Sequence, residues 1–192
     1  MNKIKPYNYI NFQSDIKSLI HLISLHGTDL VGLELGTSSG DSFITMLQNC
    51  PNIKTLYGVD AFMPHVDNIT YDERQSHYVD EKKCDFLRIN FYHNVKYSGY
   101  QDKVIFFEGY SKDALEGIDD ESLDFIFIDT CSSYENALED LSLWYPKVKP
   151  GGIFSGHDIQ HKLVQDAVNS FRVTNNIDNQ YSTYDNVWVW YK

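Results

Sequence analysis

Cysteine is scarce in this sequence, basic residues are outnumbered, and long apolar runs are missing. The three cysteines, Cys50, Cys84 and Cys131, are odd in number and lack CxxC spacing, which argues against a disulfide framework and against a zinc knuckle. No apolar stretch approaches the length of a bilayer span, and Met1 to Pro6 has no apolar segment after it. Neither a membrane helix nor a secretory leader is expected, and the expected location is the cytoplasm. Lysine and arginine number 16 against 27 aspartates and glutamates, a net charge of -11. Such a chain repels phosphate backbones, and without a local basic patch nucleic acid is not an expected partner. No internal repeat or low-complexity segment interrupts the chain. What is present is core material: 42% hydrophobic and 15% aromatic residues over 192 positions, enough for one folded domain spanning 1–192.

The chain is organised around Leu30 to Asp41, which reads LVGLELGTSSGD. Apolar residues at strand length run into a glycine-punctuated polar turn, and Ser42-Phe43-Ile44-Thr45-Met46-Leu47 follows in a helix from about Asp41 to Asn49 that Pro51-Asn52 ends. Strand, tight turn and helix together present backbone N–H groups and a helix N-terminus to a ligand. The order Glu-x-Gly-x-x-x-Gly differs from the dinucleotide fingerprint Gly-x-Gly-x-x-Gly.

Residues 1–13 read as a polar and aromatic tail. Ser14-Asp15 offers an N-cap to a helix carrying Ile16, Leu19, Ile20 and Ile23 on one face, with Gly27 as its stop. A second strand, Thr55 to Asp60, ends in an acid, and a third leaves Lys103 through Phe107 to Glu108-Gly109-Tyr110-Ser111 before a short helix near Asp113 to Glu116. Leu123 to Asp129 is nearly all apolar, as a central strand buried on both faces should be. A helix over Tyr134 to Trp144 follows, stopped by Pro146 and Pro150-Gly151-Gly152; then come a fifth strand, Gly152 to Gly156, and a helix over Lys162 to Phe171. Asp185 to Tyr191 is a closing strand with a short partner at Gln180 to Tyr184. Between Met63 and Tyr100 the pattern loosens. A lid or substrate-facing insertion is expected at 63–100, with a helix near Asp80 to Tyr97 and the polar candidates His65, Tyr71, His77 and His93.

The alternation predicts an α/β fold: a Rossmann-like, doubly wound, seven-stranded and mostly parallel sheet, its last strand antiparallel, with helices on both faces. A ligand should sit off the carboxyl ends of the strands beside the first one. Glu34, Gly36, Asp60, Gly109 and Asp129 all fall at predicted strand ends. Asp60 lies about twenty residues past the glycine turn, where a carboxylate can bond a ribose hydroxyl.

Glu34 to Gly40, Val59-Asp60-Ala61-Phe62 and Glu108 to Ser111 resemble three cofactor segments of the class I S-adenosylmethionine-dependent methyltransferases. Phe-Ile-Phe-Ile-Asp129, Ser133-Tyr134-Glu135, Leu143-Trp144, Lys149-Pro150-Gly151-Gly152 and Gly156-His157-Asp158 resemble the branch of macrolide-sugar O-methyltransferases and cephalosporin-hydroxylase-like proteins. The resemblance implies S-adenosylmethionine as cofactor. Glu34, Gly36, Thr37, Ser39 and Gly40 would lie around its methionine part, Asp60 at the ribose, Ala61 and Phe62 beside the adenine, Gly109, Tyr110 and Ser111 also at the adenine, and Asp129 near the methyl group. It also implies a divalent ion, Mg²⁺ or a transition metal, on Asp129, His157 and Asp158, with Asp129 and His157 catalytic. Without a metal, His157-Asp158 would only cap its loop. In the resemblance, the His of Asp-x-x-His is replaced by Ser132 and a neighbouring acid by Cys131.

The implied reaction is methyl transfer to an oxygen of a small hydroxylated acceptor such as a sugar or secondary metabolite. A homo-oligomer is left open. Two other readings stand beside this one: an S-adenosylmethionine-binding module without turnover, favoured by Ser132, and a nicotinamide-nucleotide Rossmann domain, which would lack its glycine fingerprint.

Overall fold

The structure is a computed structural model that describes residues 16–64, 80–130, 133–178, 181–184 and 186–192. The expected tail and the Ser14-Asp15 cap lie outside the described residues, as do His65, Tyr71, His77, Cys131 and Ser132.

Seven strands form one sheet in the order β3-β2-β1-β4-β5-β7-β6. In chain order they are β1 (Leu30–Leu35), β2 (Ile53–Asp60), β3 (Val104–Glu108), β4 (Leu123–Ile128), β5 (Val148–Gly156), β6 (Ser182–Tyr184) and β7 (Val187–Tyr191). The first five are mutually parallel, and β7 runs antiparallel to both β5 and β6. The helices are α1 (Lys17–Leu25), α2 (Asp41–Asn49), α3 (Glu81–Ser98), α4 (Tyr134–Trp144) and α5 (Lys162–Thr174). Among the described residues, no helix is long and apolar enough to cross a membrane.

Strand alternation divides the core into two layers. Phe125 and Phe127 of β4, with Val187 and Val189 of β7, pack with α1, α2 and α3 residues such as Leu19, Phe43 and Phe91. Ile126 and Ile128, with Trp188 and Trp190, pack on the opposite face with Leu141 and Trp144 of α4 and Val168 and Phe171 of α5. Both faces of β4 are therefore covered, which is why Phe125 to Ile128 is a continuous apolar run rather than an alternating one. Each fully buried large apolar side chain contributes about 1.5–3 kcal/mol through removal from water.

Polar pins sit at the ends of these elements. Asp124 accepts the Val31 N–H at 2.8 Å and Lys149 Nζ at 2.7 Å, fixing the amino ends of β1, β4 and β5. Asp80 accepts the Lys83 N–H at 2.9 Å and Ser133 the Asn136 N–H at 3.2 Å, capping α3 and α4.

One sequence expectation is corrected. β5 begins at Val148, so Pro150-Gly151-Gly152 does not precede the strand but lies within it. The pairing with β4 shifts between Leu123 and Phe125, and that irregularity takes up the proline, which has no N–H for the ladder. Gly151 N–H instead leaves the ladder to donate to the Lys192 carbonyl at 2.7 Å. The short helix expected near Asp113 to Glu116 is present as a 3-10 helix over Ser111–Gly117.

Candidate active site

The sheet reverses its winding between β1 and β4, and the crevice beyond their carboxyl ends gathers the polar residues. Gly36 makes the first step out of β1. Its φ of +81° is a left-handed conformation, and a Cβ there would land on the Asp129 carbonyl oxygen. Gly36 N–H donates to the Val59 carbonyl at 2.8 Å and Asp129 N–H to the Leu35 carbonyl at 2.8 Å, so three strand ends are tied together at this glycine. Gly40 (φ +87°) is the N-cap of α2, and its N–H closes the turn on the Thr37 carbonyl at 2.8 Å.

Asp60 secures the turn from the side. Its Oδ2 accepts the Ser38 N–H and its Oδ1 the Phe62 N–H, each at 2.8 Å. Gly109 N–H donates to the Asp60 carbonyl at 2.9 Å, which adds the exit of β3. Inside the crevice, Glu34 is wholly buried, with Oε1 accepting from the Ser42 hydroxyl. Glu34 Oε2 and Thr37 Oγ1 are buried and find no partner among the described residues. Burial pushes the Glu34 carboxyl well above its usual range; the Ser42 bond opposes this, while Asp129, Asp60 and Asp41 add to it. Glu34 thus sits in the negative field of three further acidic side chains, a field that favours a cationic ligand.

Beside it stands a second cluster. His157 leaves β5 with its N–H on the Ile128 carbonyl at 2.9 Å and its carbonyl accepting Trp188 Nε1 at 3.1 Å. The ring is held there, with Nδ1 3.4 Å from Asp129 Oδ1 and 3.3 Å from Asp158 Oδ1. Asn186 donates to Asp158 Oδ1 at 3.0 Å. One ligand atom from each of Asp129, His157 and Asp158 lies within 4.8 Å of the others. Burial pulls the His157 pKa down, but the two carboxylates outweigh it and push it up to about 10. Burial raises Asp129, and His157 lowers Asp158 against its own burial.

The held proton has a consequence for stability. Folded His157 keeps its proton to about 10, whereas the unfolded ring releases it near 6.5. Its contribution is therefore complete below the lower value and is lost as pH rises toward the upper one. His157→Gln should melt below wild type near pH 6, with the gap closing above about pH 10. Melting curves at a series of pH values check this, and a gap independent of pH would contradict it.

A family profile described as "Methyltransferase domain" matches residues 33–159, more than half of the chain and the span that holds both clusters. The chain belongs to this methyltransferase-domain family. Solved methyltransferases share the fold. The O-methyltransferase NovP superposes with a TM-score of 0.64 at 21% identity, over 96% of this chain and 78% of NovP. An O-methyltransferase from Bacillus cereus, solved with S-adenosylhomocysteine, gives 0.62 at 17% identity, over 90% and 77%. TomG from Streptomyces achromogenes, an O-methyltransferase of tomaymycin synthesis solved with S-adenosylmethionine, gives 0.61 at 13%, over 98% and 90%. Comparison with curated proteins gives no match.

In this methyltransferase domain, Glu34, Gly36, Thr37, Ser39, Gly40, Asp60, Gly109 and Asp129 stand at one end of the sheet, at or just beyond the carboxyl ends of β1 to β4. Ala61 is half-buried and Tyr110 exposed beside them. Phe62 departs from expectation. Its ring is 6% exposed and packs on Phe91 and Phe106, with centroids 6.1 and 5.9 Å away, so its side chain belongs to the core and its backbone to the site. Ser111 turns inward, its hydroxyl donating to Asp140. His157, expected to be catalytic, is flanked by two carboxylates that push its pKa up to about 10.

Two residues escaped sequence reasoning. Asn94 of α3 donates to the Ser39 carbonyl at 2.9 Å, while Phe91 lies against Gly40, so the helix of the 63–100 segment backs the glycine turn. Asp140 of α4 is buried and binds Ser111 and Thr130. Each is a polar residue on an apolar helix face, which is the only signal the sequence carries for it.

Proposed function

We propose that this chain binds S-adenosylmethionine in the β1–β4 crevice and transfers its methyl group to an oxygen of a small hydroxylated acceptor. The observation that carries the reading is the pair of buried, unpartnered oxygens, Glu34 Oε2 and Thr37 Oγ1, beside the glycine turn and the Asp60 carboxylate. Buried polar atoms are rarely left unsatisfied, and the crevice offers acceptors to an ammonium and to ribose hydroxyls. The cofactor supplies a methyl group made electrophilic by a sulfonium sulfur.

The chain's own residues bind, orient and neutralise. Glu34 accepts a cationic amine, Asp60 accepts ribose hydroxyl protons, and the Gly36–Gly40 backbone shapes the floor. Asp129 faces the acceptor side and orients a hydroxyl through its carboxylate. His157, as imidazolium, stabilises negative charge developing on that oxygen, and the hydroxyl proton passes to the Asp129 carboxylate as the oxygen–methyl bond forms and the methyl–sulfur bond breaks. Orientation and exclusion of water account for much of the rate.

Asp129, His157 and Asp158 also fit a divalent cation, with two carboxylates and an imidazole converging. When bound, such an ion would lower the pKa of the acceptor hydroxyl. His157 Nδ1 must lose its proton to ligate, and an imidazole in the set suits a transition metal better than Mg²⁺. A second reading, cofactor binding without turnover, is favoured by the ion triad, in which His157 Nδ1 already lies between both carboxylates.

The test is transfer of a labelled methyl group from S-adenosylmethionine to a panel of hydroxylated small acceptors. Each acceptor is assayed with chelator and with added Mg²⁺, Mn²⁺ or Zn²⁺. Transfer to at least one acceptor is the expected result; transfer that persists with chelator assigns it to His157 as imidazolium, and transfer that chelation abolishes and a divalent ion restores assigns it to a metal on the triad. Tight binding of S-adenosylhomocysteine with no transfer under any condition would leave the binding module.

A further inference from the structure

We propose that Asp140 is a positioning residue that fastens the loop after β3 to the loop after β4, holding the cofactor side and the acceptor side of the site in fixed relation. The proposal rests on the functional reading above. Asp140 sits on α4 with Ala137, Leu141 and Trp144, all buried, and is itself only 5% exposed. An apolar residue would pack there at less cost than a carboxylate, because a buried charge must be compensated. Among the described residues no basic side chain pairs with it. Its compensation comes from two hydroxyls: Ser111 donates to Oδ1, and Thr130 donates to Oδ2 at 2.7 Å. Burial raises its pKa and these two bonds oppose the rise.

The two hydroxyls belong to different halves of the site. Ser111 follows Gly109 and Tyr110, and Gly109 N–H is bonded to the Asp60 carbonyl at 2.9 Å. Thr130 follows Asp129, whose N–H is bonded to the Leu35 carbonyl at 2.8 Å and whose carbonyl lies against Gly36. Asp129 is thus held on its amino side by β1 and on its carboxyl side, one residue later, by Asp140. The same carboxylate holds the β3 exit two residues after Gly109. One helix residue therefore sets the spacing of two loops that differ in what they face.

The experiment measures S-adenosylhomocysteine affinity by calorimetry and backbone amide exchange at Gly109 and Asp129, in wild type and four variants whose folding is checked by circular dichroism. Asp140→Leu, which removes both hydroxyl bonds, should weaken binding about tenfold or more and speed exchange at both amides. Asp140→Asn, with one acceptor and one donor for the two hydroxyls, should recover most of both. Ser111→Ala should speed exchange mainly at Gly109, and Thr130→Val mainly at Asp129. If Asp140→Leu does not fold, the two single-arm variants and Asp140→Asn carry the test. A folded Asp140→Leu with wild-type affinity and exchange overturns the proposal, as do single-arm variants that loosen both loops equally. If wild type binds no S-adenosylhomocysteine, the functional reading fails, and the exchange pattern still decides the role of Asp140.

Discussion

Gly36→Ala should cost the protein much of its stability and all measurable cofactor binding. The residue has φ +81°, and a Cβ at this position would overlap the Asp129 carbonyl oxygen. A left-handed alanine costs about 1–2 kcal/mol, and forcing a methyl group into a packed site costs about 1–3 kcal/mol more. The sum, roughly 2–5 kcal/mol, is a large share of the 5–15 kcal/mol that typically holds a domain together. Relief requires β1 and β4 to move apart at their carboxyl ends, which also displaces Asp129. Urea unfolding gives the stability loss and titration with S-adenosylhomocysteine the loss of binding. A variant with a wild-type unfolding midpoint would mean that the Gly36–Asp129 contact is not tight.

The second large effect belongs to Asp60. Its carboxylate accepts the Ser38 and Phe62 N–H groups at 2.8 Å each, so Asp60→Ala releases both the glycine turn and the segment after β2. Hydrogen bonds to a charged group are worth about 1.5–3 kcal/mol apiece, and Phe62 N–H, beside a buried ring, gains no water in exchange. The variant should be less stable by several kcal/mol at most, and S-adenosylhomocysteine should bind at least about tenfold more weakly. Stability and affinity separate the two roles of this residue. Asp60→Asn keeps one acceptor for the backbone while changing what faces the ribose. If Asp60→Ala is destabilised yet binds the cofactor product as wild type does, Asp60 is a turn pin and the ribose assignment is wrong.

Much of this fold could be read from the sequence because its signals are local. The runs Leu30–Leu35 and Leu123–Ile128 are apolar but for Glu34 and Asp124, and Asp41–Asn49 and Tyr134–Trp144 are helices with the limits the sequence suggested. Signals failed where one residue answers to a distant one. Pro150-Gly151 looks like a stop, and only the irregular pairing with β4 shows how a strand absorbs it. Phe62 follows a strand-end acid as a base-flanking residue would, yet Phe91 and Phe106, far along the chain, claim its ring. Asn94 and Asp140 look like ordinary helix residues until the fold brings Ser39, Ser111 and Thr130 to them. The protonation of His157 was equally hidden. Spacing brings Asp129 and Asp158 near it, but only the geometry places both carboxylates at one ring nitrogen.

The account depends above all on what the β1–β4 crevice holds. Calorimetric titration of the wild-type chain with S-adenosylhomocysteine, and separately with NAD, addresses this most directly. One molecule of S-adenosylhomocysteine per chain should bind, with an affinity that falls at least about tenfold in Asp60→Ala, and NAD should produce no heat of binding. Binding of NAD in preference to S-adenosylhomocysteine, or of neither, would contradict the account.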